Sequence, residues 1–563
     1  MKTRGSLGGP SPRAVAAVGV GPLVALVVAV PWLVAPGGVG FDHFIHRKVV
    51  LGWLDAWRHG VAWPAYIDTP NSGIGSFWPS YYPPLYHATT AAAMVAGLDY
   101  WRACMAAMLV SQVGGSLLCY AWLRGHASRA SAAWGSVAFT MAPYTVFNYY
   151  VRGAFPEGFA IAWLPGVFLG IDGVRERWGW RAASPGIVAF ALIALGNLPA
   201  MVVAGVATAH YLAALFIACR RWDHLVRGLF VPALGLGISA FSWMSAWLDS
   251  GLVEVPTGGS DVRNNPSCRH YIYYGTFNRD LFDWMLYGLA YFLMATLVVL
   301  FLASRRDVGE VSARALGLAL GACGLFFCGN SSSPFYLCLP VLHYVQFPWR
   351  FLGVLAPAVA LLIATSGRGP GIVPRAVAAL GLAAVLAFDL LVYRDSYATE
   401  LLRVPADESA SFGEFLPHGC SPPTTTGPVP RVEVRSGWAT VEVERWIPGF
   451  RQVSVRSSGP ASLVLATYKD SRWVARDQAG SPLETAVGDV IGRIAVEIPA
   501  GTTRVTLELT SSDNARLAQG LTILCLANIG VMALFSQWAG SRRPPNPNKL
   551  ETGLTHERRS HDG

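Results

Sequence analysis

The stretch AVAAVGVGPLVALVVAVPWLV (residues 14–34) is followed a few residues later by the polar motif FDHFIHR (41–47). The first stretch carries no charge and matches the roughly 20 residues that a helix needs to cross a bilayer. Lys2, Arg4 and Arg13 precede it, and no A-x-A cleavage site follows it, so we expect a retained signal anchor. The chain therefore places an acid and two histidines directly where its first span ends.

The composition of the chain is typical of a membrane protein. Its 563 residues are 53% hydrophobic and only 14% charged, with a mean hydropathy of +0.39, whereas soluble proteins carry about 25% charged residues. These values exclude a water-soluble enzyme and a disordered chain. The net charge of +9 would suit nucleic acid only if the basic residues gathered on one face. They lie mostly between apolar runs, so we expect membrane lipids as partners and no nucleic acid.

Apolar runs of spanning length recur along the chain, and we predict about 12 spans. They lie at about 14–34, 103–123, 131–149, 156–173, 185–196, 199–218, 228–248, 284–303, 313–329, 350–366, 376–393 and 517–538. The basic residues between them all fall on one side of the membrane if the short apolar stretch 85–98 does not cross. We therefore predict an embedded helix at 85–98, a location in the plasma (inner) membrane, and both termini in the cytoplasm.

The pattern of the sequence changes near residue 394. The transmembrane domain is predicted to cover 1–393, with a large first outer loop at 35–102. Stretches of alternating polarity then follow, such as ATVEVER (439–445) and RVTLEL (504–509), and they predict an outward-facing β-sandwich of roughly seven or eight strands over 394–516. A final transmembrane helix (517–538) and a disordered cytoplasmic tail (539–563) complete the predicted organisation.

The first outer loop contains the densest group of polar candidates. If a helix begins at FDHFIHR, Asp42 and His46 are one turn apart and share a face, and the helix is amphipathic and lies on the outer membrane surface. Two structural alternatives remain open: Asp42 as the N-cap of this helix, and His43 and His46 as residues of the membrane interface. Two ligands are too few to argue a divalent metal, so a metal is considered and not assigned.

Two further charged positions lie at the predicted outer ends of spans. Arg152 and Glu157 flank Pro156 in RGAFPE (152–157); they form either a structural ion pair or a wall of the same outward cavity as Asp42. Arg350, in HYVQFPWRF (343–351), opens a span on the side where the positive-inside rule gives it no role. It either snorkels at the interface or holds a lipid phosphate, because its fork matches phosphate oxygens.

The ordered motifs resemble a known family. D-H-x-x-H (42–46), Y-P-P-L-Y (82–86), RGAFPEGFAIAWLP (152–165), QFPWRF (346–351) and EFLP (414–417) follow one another as in the GT-C superfamily of multi-pass glycosyltransferases that use polyprenyl-phosphate sugars. The closer resemblance is to bacterial multi-pass proteins with a pyruvoyl-tetrahydropterin synthase-related membrane domain. That label implies no pterin chemistry in this chain, which lacks a metal-binding histidine triad.

The resemblance implies a GT-C-like helical membrane domain and a set of site residues. We predict Asp42, His46 and Glu157 as catalytic residues, with Asp42 as general base or metal-adjacent carboxylate. The predicted substrate-binding residues are Arg152, Arg350, His43, Tyr82 and Gln346, among which Arg350 holds the donor phosphate.

The predicted activity is transfer of a sugar from a polyprenyl-phosphate donor to an extracytoplasmic acceptor, either a cell-envelope glycan or a lipid. The alternative is a non-catalytic or transport-type membrane protein that binds or moves a lipid-linked glycan. No cofactor is certain, and a divalent metal is considered. Cys268, Cys338 and Cys420 are predicted to face outward, and a disulfide between two of them stays open.

Overall fold

The computed structural model of the chain describes residues 12–34, 42–255, 313–366, 413–424 and 427–541. The predicted spans 284–303 and 376–393, the position of Cys268 and the predicted tail after residue 541 lie outside the described residues.

Helices make up the described residues before 413. Their bounds are α1 Pro12–Val34, α2 His43–Arg58, α3 Trp78–Tyr81, α4 Leu85–Val95, α5 Tyr100–Arg124, α6 Arg129–Thr140, α7 Pro143–Phe147, α8 Phe155–Ile161, α9 Leu164–Glu176, α10 Trp180–Gly196, α11 Leu198–Cys219, α12 Trp222–Ile238, α13 Ala240–Leu248, α14 Ala313–Cys328, α15 Ser333–Cys338 and α16 Leu355–Thr365. The last helix, α17, covers Asp513–Ser541 and follows the strands.

Within the described ranges, five helical segments are long and apolar enough to cross a membrane. They are Tyr100–Arg124, Phe155–Glu176, Leu198–Cys219, Pro348–Thr365 and Asp513–Ala533. The bent pair α12–α13 makes a sixth if it is one span, and three shorter apolar helices lie within α1, α10 and α14. The fold is therefore a helical membrane type with five or six candidate spans in the described residues, and the count of 12 stays a prediction.

Prolines stand at the start of two helices near the site. The predicted span 131–149 is divided between α6 and α7, because Pro143 stands at the start of α7 and cannot continue a preceding helix. The helix α4 begins after Pro84 and ends at Val95. Its 11 residues extend about 16 Å, which is short of the roughly 30 Å hydrocarbon core.

The strands follow the alternating stretches of the sequence. Their bounds are β1 Val432–Ser436, β2 Ala439–Ile447, β3 Phe450–Ser457, β4 Ala461–Tyr468, β5 Trp473–Arg476, β6 Thr485–Val487, β7 Arg493–Ile498 and β8 Arg504–Leu509. They form two four-stranded sheets, in the orders β1-β4-β7-β6 and β2-β3-β8-β5. All the pairings are antiparallel, for example Val453 with Val505 between β3 and β8. Inward side chains of both sheets, among them Val455, Leu463, Ile494 and Leu507, belong to one apolar cluster.

The strand region packs on the first outer loop. The same apolar cluster that fills the sheets also contains Trp53, Tyr66 and Trp78 of that loop. Arg451 on β3 is 1% exposed, and its Nη2 lies 2.5 Å from Oδ1 of Asp68. This Arg451–Asp68 pair joins the first described loop to the last described domain.

The structure also shows where Trp473 packs and whether Cys338 and Cys420 are joined. Trp473 is 2% exposed and its ring lies edge-on, 5.4 Å from that of Tyr66, so it belongs to the core. Cys338 and Cys420 are both free thiols, so they do not pair with each other.

Candidate active site

The site begins where the chain leaves α7. Asn148–Arg152 forms a π-helical turn that ends at Gly153, whose φ of +68° is left-handed and therefore favours glycine. Pro156 then starts α8 within the first turn, a position where its missing N–H costs nothing. The carbonyl of Arg152 accepts the backbone N–H of Asp42 at 3.1 Å, which brings the start of α2 beside this turn.

Arg152 is the central cation of the site. Its Nη2 lies 3.2 Å from Oδ2 of Asp42, and its Nη1 lies 2.9 Å from Oε2 of Glu157. The same Nη1 donates to Oδ1 of Asn148 at 3.1 Å. Glu157 and Asp42 together hold the pKa of Arg152 above its ordinary value. Arg152 therefore joins the two predicted carboxylates through one buried guanidinium.

Glu157 is a buried anchor between two arginines. Its carboxylate is 2% exposed and lies 3.1 Å from Nε of Arg350 as well as beside Arg152. The hydroxyl of Tyr144 donates to Oε1 at 2.5 Å, and the amide of Asn148 donates to the same oxygen at 3.4 Å. Both carboxylate oxygens of Glu157 therefore contact neighbouring side chains.

Arg350 is less completely satisfied than Arg152. Arg350 is 7% exposed. Its guanidinium lies 5.2 Å from the ring centre of Phe347, and its Nε is within ion-pair distance of Glu157. The Nε–H does not align with that carboxylate as a hydrogen bond, and Nη1 is buried without a hydrogen-bond partner in the described residues. Donors left unpaired in this way carry a desolvation cost.

Arg350 opens into a cavity of about 830 Å³. One end of the cavity is polar and is formed by Asp42, His46, Arg350 and Glu414. The lining also has an apolar part, which includes Leu198, Met201, Val202, Trp243 and Trp247. Trp247, on the bent pair α12–α13, is 55% exposed, so the apolar wall continues to the outer surface of the helix bundle.

The cavity gathers five of the eight residues predicted from sequence: Asp42, His46, Tyr82, Gln346 and Arg350. Arg152 and Glu157 lie behind its polar end and reach it through Asp42 and Arg350. The remaining residue, His43, does not line the cavity; its ring packs 5.3 Å from Trp101.

Tyr82 is oriented by the GNLP stretch (196–199). Asn197 caps α11 by accepting the N–H of Ala200 at 2.9 Å. Its amide also donates to the Tyr82 hydroxyl at 2.9 Å. One asparagine thus fixes both the start of a candidate span and an aromatic wall of the cavity.

Asp42 stands at the N-cap position of α2, but its side chain makes no capping hydrogen bond. Its carboxylate instead pairs with Arg152, and 39% of that side chain is exposed. The capping alternative therefore does not describe what this carboxylate contacts.

His46 is held in a neutral environment. Its Nδ1 lies 3.2 Å from Nε2 of His87. Burial, with smaller effects from His43 and Arg152, lowers the pKa of His46 to about 3. A ring with that pKa is neutral near neutral pH and can donate or accept a hydrogen bond, and the catalytic role of His46 stays a prediction.

A metal centre does not fit these contacts. Among the residues that the structure describes, no group of three or more His, Cys, Asp or Glu side chains could hold a metal ion. The two candidate ligands already have partners, since Asp42 pairs with Arg152 and His46 with His87.

Sequence reasoning missed Glu414. This residue lines the cavity, and burial raises the pKa of its carboxyl to about 7, with Asp42 adding to the rise and Arg350 opposing it. The only signal in the sequence was the EFLP motif (414–417), which indicated family resemblance and no chemistry. Nothing in the local pattern relates Glu414 to Asp42, which lies hundreds of residues earlier.

Comparisons with known proteins were made against families, curated proteins and solved structures. A family model for the 6-pyruvoyl-tetrahydropterin synthase related domain, a membrane protein, matches residues 80–397, which is more than half of the chain. No curated protein matches.

Three solved structures illustrate the similarity of fold. Arabinofuranosyltransferase AftD from Mycobacteria is 18% identical at a TM-score of 0.41, over 68% of this chain and 27% of that chain. ArnT from Cupriavidus metallidurans, bound to undecaprenyl phosphate, is 14% identical at 0.41, over 68% and 66%. The oligosaccharyltransferase of Archaeoglobus fulgidus in the apo form is 14% identical at 0.40, over 71% and 56%.

At these TM-scores and identities the similarities carry no argument about this chain. The chain spans about a quarter of the length of AftD. The match to the family model, in contrast, is a match of sequence, and it covers residues 80–397. The chain therefore belongs to the membrane proteins with a 6-pyruvoyl-tetrahydropterin synthase related domain.

Proposed function

We propose that the chain is a membrane glycosyltransferase that moves a sugar from a polyprenyl-phosphate donor to an extracytoplasmic glycan or lipid. The observation that carries this proposal is the amphipathic cavity. It joins a buried guanidinium with an unpartnered Nη1 to an apolar wall that reaches the outer surface of the helix bundle. A phosphate would lie beside the charged residues of the cavity, and a polyprenyl chain would lie along its apolar residues.

The polar end supports recognition of the donor phosphate. Arg350 lines the cavity and its Nη1 makes no hydrogen bond within the described residues, and a guanidinium binds phosphate oxygens through two parallel hydrogen bonds. Glu157 positions Arg350 rather than contacting substrate, because its oxygens are occupied by Tyr144 and the two arginines. The predicted catalytic role of Glu157 is thereby replaced by a positioning role in this proposal.

The apolar wall supports binding of the lipid. Trp243, Trp247 and Leu198 offer a surface without charge, and each buried CH₂ of an isoprenoid contributes about 0.8 kcal/mol. The break between α12 and α13, bent by 75°, sets α13 across the side of the cavity. We infer that the polyprenyl chain enters past this break.

The reaction would be a single displacement at the anomeric carbon. The acceptor oxygen forms a bond to that carbon while the bond to the phosphate oxygen breaks, and the electron pair stays on the phosphate beside Arg350. A carboxylate of the polar end takes the acceptor proton. Base catalysis of this kind contributes about 10²–10⁴-fold, and charge stabilisation at the leaving phosphate contributes about 10²–10³-fold.

The remaining parts of the sequence prediction enter the proposal unchanged. They are about 12 spans with cytoplasmic termini in the plasma membrane, and an outer β-sandwich over 394–516 that positions the acceptor. The packing of both sheets into one cluster with the first loop supports a strand region on the same side as the cavity.

Binding of undecaprenyl phosphate by the purified full chain tests this proposal. We expect undecaprenyl phosphate to bind more tightly than undecaprenol, which lacks the phosphate. Because hydrogen bonds to charged groups contribute about 1.5–3 kcal/mol, Arg350→Ala should weaken phosphate binding about 10- to 100-fold. Undecaprenol binding by the same variant should stay near the wild-type level, which also shows that the protein is folded.

Two variants sharpen the interpretation. Arg350→Lys should retain part of the preference for phosphate, since a point charge remains without the fork. Arg102→Ala removes an arginine whose side chain is 63% exposed and paired with Asp99, away from the cavity, and should bind like wild type. A wild-type chain that binds undecaprenyl phosphate and undecaprenol equally would overturn the proposed donor site. Donor that is bound and never consumed would favour the binding or transport alternative.

A further inference from the structure

Glu414 is held rigidly at the edge of the cavity. The next residue, Phe415, has a φ of +58°, an unusual conformation for a bulky side chain that costs of order 1–3 kcal/mol and persists only where the surroundings impose it. Its ring stacks on Tyr81 at 5.8 Å and meets Trp78 edge-on at 5.0 Å. Its N–H donates to the Glu254 carbonyl at 3.0 Å. These contacts fix the backbone that carries Glu414.

Glu414 differs from the other two carboxylates of the region by its contacts. Glu157 is saturated by Tyr144 and the arginines, and Asp42 pairs with Arg152 at 3.2 Å. Glu414 lines the cavity and makes no hydrogen bond or ion pair with any residue that the structure describes. It is therefore the carboxylate that can accept a proton from a bound molecule without first losing a partner.

The surroundings of Glu414 suit proton transfer near neutral pH. Two charged groups act on it with opposite sign, since Asp42 opposes its ionisation and Arg350 favours it. The other titratable groups of the cavity are His46, Tyr81, Tyr82, His343 and Tyr344. Burial raises the pKa of Glu414 to about 7, and a general base is most effective when its pKa lies near the working pH.

We propose that Glu414, in place of Asp42, is the general base of the glycosyl transfer. The inference rests on the proposed function. Glu414 takes the proton of the acceptor hydroxyl as the acceptor oxygen attacks the anomeric carbon of the donor sugar. The carbon–oxygen bond to the phosphate breaks, and its electron pair leaves with the polyprenyl phosphate beside Arg350. Glu414 then releases the proton to water. Asp42, which is paired with Arg152, orients the acceptor.

The experiment compares wild type, Glu414→Gln, Glu414→Asp and Glu254→Gln in lipid nanodiscs. Glu254 is a matched control, because it lies beside Phe415 but its side chain is 62% exposed, pairs with His418 and does not line the cavity. Three quantities are measured: the Kd of undecaprenyl phosphate, the consumption of undecaprenyl-phosphate-linked pentoses and hexoses with a cell-envelope glycan fraction, and the carboxyl band in infrared difference spectra against pH.

Wild type should show a carboxyl band that disappears as the pH rises through about 7, and Glu414→Gln should lack it. Turnover should rise over the same range in wild type and in Glu254→Gln. Glu414→Gln should lose about 100-fold or more of the turnover while its Kd for undecaprenyl phosphate stays within about threefold of wild type. Glu414→Asp should recover part of the turnover, since it restores a carboxylate.

The outcomes separate this inference from the proposed function. A Glu414→Gln protein that turns over donor like wild type, or a wild type without the titrating band, overturns the role of Glu414 and leaves the donor site intact. A wild type in which Glu414 titrates, but which consumes no donor and does not distinguish undecaprenyl phosphate from undecaprenol, overturns the proposed function itself.

Discussion

Replacing Arg451 by Met should destabilise the attachment of the strand region to the first outer loop. Arg451 is 1% exposed, and its Nη2 and Nη1 lie 2.5 Å and 3.3 Å from the two carboxylate oxygens of Asp68. Its Nε also donates to Thr467 at 3.2 Å, and its guanidinium stacks 4.5 Å from the ring of Trp446. Methionine keeps much of the volume and removes every one of these donors.

The magnitude follows from what Asp68 loses. Its side chain is 13% exposed, so Arg451→Met leaves a buried carboxylate without its cation. Removal of one partner of a buried pair costs about 3–5 kcal/mol, whereas replacing both partners is often nearly neutral. The double variant Arg451→Met with Asp68→Asn should therefore recover most of the lost free energy of unfolding.

The loss should also depend on pH. Burial raises the pKa of Asp68, and Arg451 opposes that rise. Without Arg451 the pKa of Asp68 rises further, so its ionisation destabilises the folded state at pH values above that pKa. Below the ordinary carboxyl pKa of about 3.9 the group is protonated in both states and the penalty disappears. The deficit of Arg451→Met should thus be largest near neutral pH and shrink in acid.

The assay is urea unfolding of the purified chain, followed by the fluorescence of the strand-region tryptophans. Arg456→Met is the matched control, because Arg456 lies on the same strand with its side chain exposed, and it should change stability by no more than about 0.5 kcal/mol. If Arg451→Met unfolds like Arg456→Met, or if the double variant is no more stable than the single one, the buried pair does not hold the two parts together.

Three further experiments test the ionisation of Glu414, the core of the strand region and the predicted topology. Glu414→Gln should raise the thermal-unfolding midpoint by a few °C near pH 8, where wild type carries a charge at this position, and leave it unchanged only below the ordinary glutamate pKa of about 4.3, where the carboxyl is protonated in both the folded and the unfolded state. Trp473→Ala should cost about 3–5 kcal/mol, whereas Trp438→Ala, at an 87% exposed position, should be within about 0.5 kcal/mol of wild type; equal losses in urea unfolding would contradict the buried core. Cys338, which is exposed, should react with a membrane-impermeant maleimide added from outside, and an Arg124→Cys thiol should not; labelling of both from one side would contradict the predicted topology.

The elements that could be predicted from sequence are those with a short-range physical signal. The alternation in RVTLEL coincides with β8, Arg504–Leu509, because one buried face in every second residue can be read locally. The helix α2 after Asp42 has its own local signal, because its apolar residues recur three and four positions apart. The division of the predicted span 131–149 at Pro143 was overlooked, since apolar composition hides where the hydrogen-bonded ladder stops.

The site residues that could be predicted are likewise those with a signal in the local sequence. Asp42 and Arg350 were singled out because charged residues at the ends of apolar runs are conspicuous, and they do line one cavity. The depth of Glu157 was not predictable, because it depends on the π-helical turn before it. Glu414 was missed because its chemistry comes from burial among residues distant in sequence. His43 was predicted to bind substrate, but it does not line the cavity and its ring packs against Trp101.

The contact between the first outer loop and the strand region has a consequence for biosynthesis. Asp68 and Arg451 are separated by 383 positions, and at roughly 5–20 residues per second the ribosome needs roughly 20–80 s to make the intervening chain. Throughout that interval the first loop is without the partner that covers Tyr66 and Asp68. Chaperones and proteases on the side of the membrane that the loop faces therefore meet an exposed surface, which becomes covered once the strands have been synthesised and have folded.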